Sequence, residues 1–138
     1  MRFYWDPKYS VNIKSIDKQH QRFFEIVNEV NYYINAHKLD ESALRKVLTE
    51  LIDYAESHLK YEEEIFREIA YSETEEHCKS HNLYRVKVAE YKLRLKEPNT
   101  DILTAAREMA DFARDWLSGH ILAVDTKYMG EFLRADVK

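Results

Sequence analysis

Residues 77 to 81 read His-Cys-Lys-Ser-His, with two histidines four positions apart and a cysteine after the first. Histidines at i and i+4 lie on the same face of a helix, so two such imidazoles can bind one metal ion together. A stable metal site needs at least one or two further ligands. The rest of the chain must supply them.

The composition predicts one helical domain. A chain of 138 residues is long enough to form a single domain, residues 1–138, with a buried core. It has only two Gly and two Pro, with 45% hydrophobic and 33% charged residues. So few helix-breaking residues favour long helices over many short strands, which predicts an all-α fold.

Charge and cysteine content exclude several classes of protein. The formal net charge is −4, and there is no run of Lys or Arg, which argues against a nucleic-acid-binding surface. The single cysteine, Cys78, excludes an intrachain disulfide. The first residues contain no apolar stretch long enough for a signal peptide or a membrane span. We therefore expect a soluble, cytoplasmic protein without membrane insertion.

Apolar residues recur at helical spacing in four segments that follow an aromatic N-terminal arm. The arm ends at about Ile16. The first segment extends from about Asp17 to His37. The second begins near Asp40, which is a suitable helix cap, and continues to Ile69.

The third segment begins at Ser72, where Ser-x-x-Glu75 has the spacing of a capping box, and it ends before Pro98. The fourth starts near Thr100, and a shorter apolar piece from Ile121 to Leu133 follows it. Four helices with short loops predict an up-down-up-down four-helix bundle with an N-terminal arm and a short C-terminal helix.

Each residue of a helix is rotated by about 100° from the one before it. With this rotation, polar residues fall on the apolar faces of all four predicted helices. They are His20, His58, Glu62, His77, His81 and His120. The alternating directions of the helices bring these positions to one end of the bundle. A single core histidine is usually a hydrogen-bonded structural residue, but burying this whole layer without partners would cost several kcal/mol. A bound metal would remove that cost.

Other polar residues have simpler interpretations. His37 lies at the far end of the first helix and is expected on the surface. Glu63 and Glu64 belong to the acidic run Tyr-Glu-Glu-Glu and are interpreted as a solvated helix face. Cys78 lies about 100° around the helix from His77, so we expect it to pack beside the site without binding metal.

The complete pattern resembles the hemerythrin family, specifically the single-domain bacterial hemerythrins. It consists of His20, His58-x-x-x-Glu62, His77-x-x-x-His81 and His120-x-x-x-x-Asp125. The resemblance extends over nearly the whole chain, including Trp5 in the arm. One departure is Ser72, where many relatives have proline, and this affects the loop more than the chemistry.

The resemblance implies a site with two iron ions. His77, His81 and His120 would hold one iron, and His20 and His58 the other. Glu62 and Asp125 would bridge both, together with an oxo or hydroxo group. Counting ligands leaves one open position, on the iron with two histidines, where dioxygen could bind.

The ligand charges favour reversible binding of O2 over hydroxylation, because five neutral imidazoles outnumber two carboxylates and disfavour highly oxidised iron. The expected function is therefore O2 storage or delivery without enzymatic activity, with an oxygen-consuming enzyme as a candidate recipient. Two alternatives stay open. One is a di-iron enzyme, a peroxidase, an oxidase or a nitric-oxide-consuming protein, and the other is an oxygen or iron sensor. The oligomeric state is not predicted.

Four apolar residues match the oxygen pocket of the family, namely Leu59, Trp116, Leu117 and Ile121. Each, including Leu59, could instead be an ordinary core residue. Copper or zinc could replace iron at so nitrogen-rich a site if supplied in excess.

The spacing of His120 and Asp125 does not fit a regular helix. Five positions correspond to about 140° of rotation, too far for both side chains to face one centre. Gly119 lowers helix propensity just before this stretch. We therefore predict a break or bulge within residues 119–125, with Asp125 opening the terminal piece and bridging both metals.

Overall fold

The computed structural model describes residues 2–138 and contains five α-helices and no strand within them. The helices are α1 (Lys14–Ile34), α2 (Glu41–Ile69), α3 (Thr74–Lys96), α4 (Ile102–Ala123) and the short α5 (Met129–Arg134). Single 3-10 turns precede α1, at Pro7–Tyr9, and α5, at Asp125–Tyr128. The predicted all-α four-helix bundle with a short C-terminal helix is confirmed.

Helices α2 and α4 begin where an aspartate side chain accepts a hydrogen bond from a free backbone N–H group. Asp40 accepts a hydrogen bond from the N–H of Ala43 at 3.0 Å, which confirms the predicted cap of α2. Asp101 accepts a hydrogen bond from the N–H of Thr104 and caps α4. The helix begins at Ile102, two residues after the expected start near Thr100. Helix α1 begins three residues before Asp17 and ends at Ile34, so His37 lies in the following loop.

The predicted capping box at Ser72 is wrong. Helix α3 starts at Thr74, and its cap residue, Glu73, makes no side-chain capping hydrogen bond. The Ser72 backbone N–H donates to Glu131 Oε2 at 3.1 Å, and the Ser72 hydroxyl donates to the same carboxylate. Ser72 therefore connects the turn between α2 and α3 to α5.

The core lies between the four long helices, with α1 and α3 each packed against α2 and α4. The N-terminal arm covers α1. The ring of Phe3 stacks on Phe24 with 3.6 Å between ring centroids, and the backbone of Phe3 exchanges two hydrogen bonds with the Asn28 side chain at 2.7 and 2.8 Å. No helix among residues 2–138 is both long enough and apolar enough to cross a bilayer.

Candidate metal centre

All seven predicted ligands are buried, each with at most 5% of its surface exposed. Their nitrogen and oxygen atoms form two groups, and within each group one ligand atom per residue lies within 4.8 Å of all the others. The first group contains His77, His81 and His120, the second contains His20 and His58, and both contain Glu62 and Asp125. The grouping agrees with the one that the resemblance implies, and metal binding by these residues stays a prediction.

Asp125 reaches this cluster because α4 ends before it. The helix stops at Ala123, and the φ angle of its cap residue Val124, −118°, departs from the usual helical value of about −63°. A 3-10 turn begins at Asp125, whose side chain is completely buried. The break predicted for residues 119–125 is confirmed, because α4 ends at Ala123 and a 3-10 turn follows it at Asp125.

The ring nitrogens of each group point at a common centre. His20 Nε2 and His58 Nε2 are 3.0 Å apart, and His77 Nε2 and His120 Nε2 are 3.1 Å apart. Metal–nitrogen bonds of about 2.1 Å at right angles separate two nitrogens by about 3 Å. Both pairs therefore have the spacing of two imidazoles that bind the same ion.

The two carboxylates lie between the groups. Asp125 Oδ1 is 3.0 Å from His77 Nε2 and 2.9 Å from His120 Nε2, while Asp125 Oδ2 is 3.2 Å from His20 Nε2. Glu62 Oε1 is 3.3 Å from His81 Nε2 and 3.4 Å from His58 Nε2. Each carboxylate thus contacts histidines of both groups, as a bridging ligand would.

These contacts do not satisfy the buried polar atoms. Four of the atoms at the centre have no hydrogen-bond partner within residues 2–138, although nitrogen atoms lie close to them. They are Glu62 Oε1, His81 Nε2, Asp125 Oδ1 and Asp125 Oδ2. Unpaired polar atoms in a core cost free energy, and cations bound in the two groups would satisfy all four atoms. The donor set therefore fits two divalent ions with mixed nitrogen and oxygen ligands.

Electrostatics keep the carboxylates ionised. Burial and the charge of Asp125 oppose ionisation of Glu62, but contacts with His58 and His81 outweigh them and lower the pKa of Glu62 to about 2. Burial likewise opposes the charge on Asp125, and contacts with His120, His20 and His77 hold its pKa well below the usual range. Two anionic ligands in a dry core favour cation binding.

The imidazoles of the metal-free protein differ in their protonation. Burial lowers the pKa of His58 to about 4, so this ring is neutral at pH 7. Burial also opposes the charge on His81, but contacts with Glu62 and Glu63 raise its pKa to about 9. A metal ion must therefore displace a proton from His81 when it binds.

Three histidines are held from outside by hydrogen bonds through Nδ1, which orient their Nε2 atoms toward the centre. His58 Nδ1 is 2.7 Å from Gln19 Oε1, and His120 Nδ1 is 2.8 Å from Ser80 Oγ. His81 Nδ1 is 2.8 Å from Glu63 Oε2. The interpretation of Glu63 as a solvated residue is therefore wrong. Its spacing from Glu62 gave no signal of this role, because only the packing of α2 on α3 brings Glu63 to His81.

Tyr128 is a further residue that sequence reasoning missed. Its hydroxyl donates a 2.6 Å hydrogen bond to Glu62 Oε2, and both side chains are completely buried. Its ring lies parallel to that of His77, with 5.7 Å between centroids. Burial, followed by the charges of Asp125 and Glu62, raises the pKa of Tyr128 well above its usual value, so the hydroxyl remains a donor.

The apolar residues proposed for an oxygen pocket occupy the core next to ligands in the sequence. Leu59 directly follows His58, Leu117 lies three residues before His120, and Ile121 directly follows His120. All three are at most 1% exposed. Trp116 is partly buried, and its ring stacks on His120 at 4.2 Å between centroids. That these four side chains line an oxygen pocket stays a prediction.

The remaining polar candidates lie outside the cluster. His37 is exposed in the loop after α1, as expected. Glu64 is exposed as well, in agreement with its interpretation as a surface residue. Cys78 is partly buried beside Glu63, and it belongs to neither group of candidate ligands.

Comparisons with known proteins agree with this geometry. The model of the hemerythrin HHE cation binding domain matches residues 11–132. That residues 1–138 form this domain from end to end stays a prediction. The chain is 32% identical to a bacteriohemerythrin of Stenotrophomonas maltophilia, over 90% of this chain and 77% of that protein. It is 30% identical to a bacteriohemerythrin of Clostridium acetobutylicum, over 92% of this chain and 98% of that protein.

Solved structures show the same fold. The crystal structure of a hemerythrin variant in which one leucine is replaced by tyrosine superposes with a TM-score of 0.78 and 25% sequence identity. The alignment covers 94% of this chain and 97% of that one. The match of the domain model, the curated relatives and the arrangement of seven buried candidate ligands lead to one conclusion. The chain belongs to the hemerythrin family.

Proposed function

We propose that the chain holds two iron ions at this centre and binds O2 reversibly, for storage or delivery in the cytoplasm. One observation carries the proposal. The two groups of ligands share both carboxylates but differ in the number of imidazoles, three in one group and two in the other. Such a difference leaves one ion with fewer protein ligands than its neighbour, and an open position is what a small ligand needs.

Each ligand has a defined role in this proposal. His77, His81 and His120 would hold one ion, and His20 and His58 the other. Glu62 and Asp125 would contact both, consistent with their positions between the groups. A bound ferrous pair would supply the electrons that reversible O2 binding requires.

The surroundings favour release of O2 over its consumption. The centre lies in a core with Leu59, Leu117 and Ile121, all at most 1% exposed, and Trp116 covers one side of His120. Such a core limits the access of water and protons, which would otherwise promote loss of partly reduced oxygen. Tyr128 and Glu62 are joined by a hydrogen bond, so the tyrosine proton is already engaged.

A reversible spectral change would test the proposal. The protein is loaded with Fe(II) without air, its visible spectrum is recorded, O2 is added, and the O2 is then removed under argon. We expect an absorption band that forms with O2, disappears on its removal, and returns over several cycles. The His81→Ala variant, which lacks one ligand, serves as a control that should lose the band together with iron.

Two results would contradict reversible binding. Oxidation that is complete after one exposure and does not reverse would exclude a carrier. Steady consumption of a reductant with O2, peroxide or nitric oxide would instead favour the di-iron enzyme.

A further inference from the structure

The five imidazoles at the centre differ in the hydrogen-bond partner of their outer nitrogen, Nδ1. The outer nitrogen of His58 contacts the neutral amide of Gln19, and that of His120 contacts the neutral hydroxyl of Ser80. The Nδ1 atoms of His20 and His77 have no hydrogen-bond partner within residues 2–138. Among these five rings, only that of His81 has a carboxylate as the partner of Nδ1, and this carboxylate belongs to Glu63.

Arg85 holds this carboxylate in place. Its Nη1 and Nη2 atoms donate to Glu63 Oε2 and Oε1 at 2.8 and 2.9 Å, a two-pronged contact. Its Nε atom donates to Glu56 Oε2 at 2.9 Å, which fixes the guanidinium against α2. Arg85 lies one helical turn after His81 on α3, so Glu63 of α2 is held between two residues of the same helix.

This arrangement determines where the proton of His81 lies. An ionised carboxylate can only accept a hydrogen bond, so Nδ1 of His81 must carry the hydrogen, and the lone pair of the neutral ring is then on Nε2. The anionic acceptor also increases the electron density of the ring. The guanidinium of Arg85 keeps the negative charge on Glu63 and limits transfer of the proton to it.

We propose that Glu63 and Arg85 are positioning residues that fix His81 with Nε2 toward the metal and make it the most electron-donating of the five imidazoles. The inference rests on the proposed metal centre, but it does not depend on O2 binding. It assigns unequal roles to the three histidines of one ion. His81 would bind that ion most strongly and stabilise its oxidised state.

Two substitutions at Glu63 separate position from charge. Glu63→Gln keeps an oxygen that can accept from Nδ1 but removes the charge, whereas Glu63→Ala removes both. Glu64→Gln is the matched control, because Glu64 is the next residue on the same helix and is exposed. Circular dichroism establishes that each variant is folded.

The first measurement uses protein loaded with diamagnetic Zn2+. In the wild type we expect NMR to show a protected Nδ1–H on His81, retained in Glu63→Gln and lost to rapid exchange in Glu63→Ala. Zn2+ affinity, measured by competition with a chelator, should fall about 10- to 100-fold in Glu63→Ala, the range typical of lost outer contacts. It should fall less in Glu63→Gln and remain unchanged in Glu64→Gln.

The second measurement is the reduction potential of the iron-loaded protein, which a purely structural role would not change. It should rise in Glu63→Gln, because the ring loses its anionic partner while its position is kept. Equal potentials in Glu63→Gln, Glu64→Gln and the wild type would refute the assigned electronic role. An unchanged Nδ1–H signal in Glu63→Ala would refute the positional role, and if that variant does not fold, the potential of Glu63→Gln decides.

The outcomes also separate this inference from the proposed function. A protein that binds Zn2+ with the expected differences between variants but does not bind O2 reversibly would support the role of Glu63 at His81 and contradict the proposed function. Failure of the wild type to bind any metal at these residues would overturn both.

Discussion

Replacing Tyr128 by phenylalanine should destabilise the metal-free protein through a single hydrogen bond. The hydroxyl donates to the ionised Glu62 at 2.6 Å, and neither side chain has any exposed surface. A hydrogen bond to a charged group contributes about 1.5 to 3 kcal/mol, and leaving a buried carboxylate oxygen without its donor puts the loss at the upper end, about 2 to 3 kcal/mol. The substitution changes almost no volume, so no cavity contributes.

The expected change in melting temperature follows from the chain length. At roughly 2.1 cal/mol/K per residue, 138 residues give an unfolding entropy of about 0.29 kcal/mol/K, so 2 kcal/mol corresponds to about 7 °C. Thermal unfolding followed by circular dichroism in the presence of a chelator measures this shift. In the metal-loaded protein the shift should be smaller, because bound cations would then stabilise the Glu62 carboxylate.

Tyr84→Phe is the matched control. Tyr84 is also a buried tyrosine, 2% exposed, but its hydroxyl has no hydrogen-bond partner within residues 2–138. Removing that hydroxyl should leave the stability unchanged or slightly increase it. Equal destabilisation in both variants would show that the loss at Tyr128 does not come from its contact with Glu62, and would refute the reasoning.

Further predictions concern single histidines and pH. The His37→Ala variant should keep its metal content, because His37 is exposed in the loop after α1. The His81→Ala variant should lose metal. Equal metal loss in both variants would contradict the assignment. Metal should be released below about pH 5, because the imidazoles that bind it must stay neutral. An unchanged metal content at equilibrium well below that pH would contradict this prediction. The buried His58 has a pKa of about 4, below its unfolded value of 6.5, so the unfolded state binds more protons between these values. The contribution of His58 to the stability of the metal-free protein should therefore fall by up to about 3 kcal/mol as pH falls from 6.5 to 4. Denaturant unfolding at a series of pH values should show a shallower loss in the His58→Leu variant.

The ligand layer could be predicted from the sequence because it depends on the position of each residue within its own helix. His58 and Glu62 are four apart on one helix, and so are His77 and His81. Helical periodicity and alternating helix directions are enough to bring such pairs to one end of a bundle. The helix break before Asp125 could be predicted for the same reason, since five positions do not fit one face.

Contacts between helices could not be predicted in this way. Glu63 contacts His81 and Arg85 only because α2 packs on α3 in one particular rotation, and the acidic run around it looks solvated in the sequence. Ser72 has the right spacing for a capping box, yet its hydroxyl donates to Glu131, which lies 59 residues away along the chain. Such contacts depend on tertiary packing, which overrides local propensity.

We infer that seven buried side chains form one centre for two metal ions. The most direct test is a crystal structure of iron-loaded protein with anomalous scattering data collected at the iron absorption edge. We predict two anomalous peaks, one bound by His77, His81 and His120 and the other by His20 and His58, with Glu62 and Asp125 bound to both. A single peak, or peaks outside this cluster, would contradict the account.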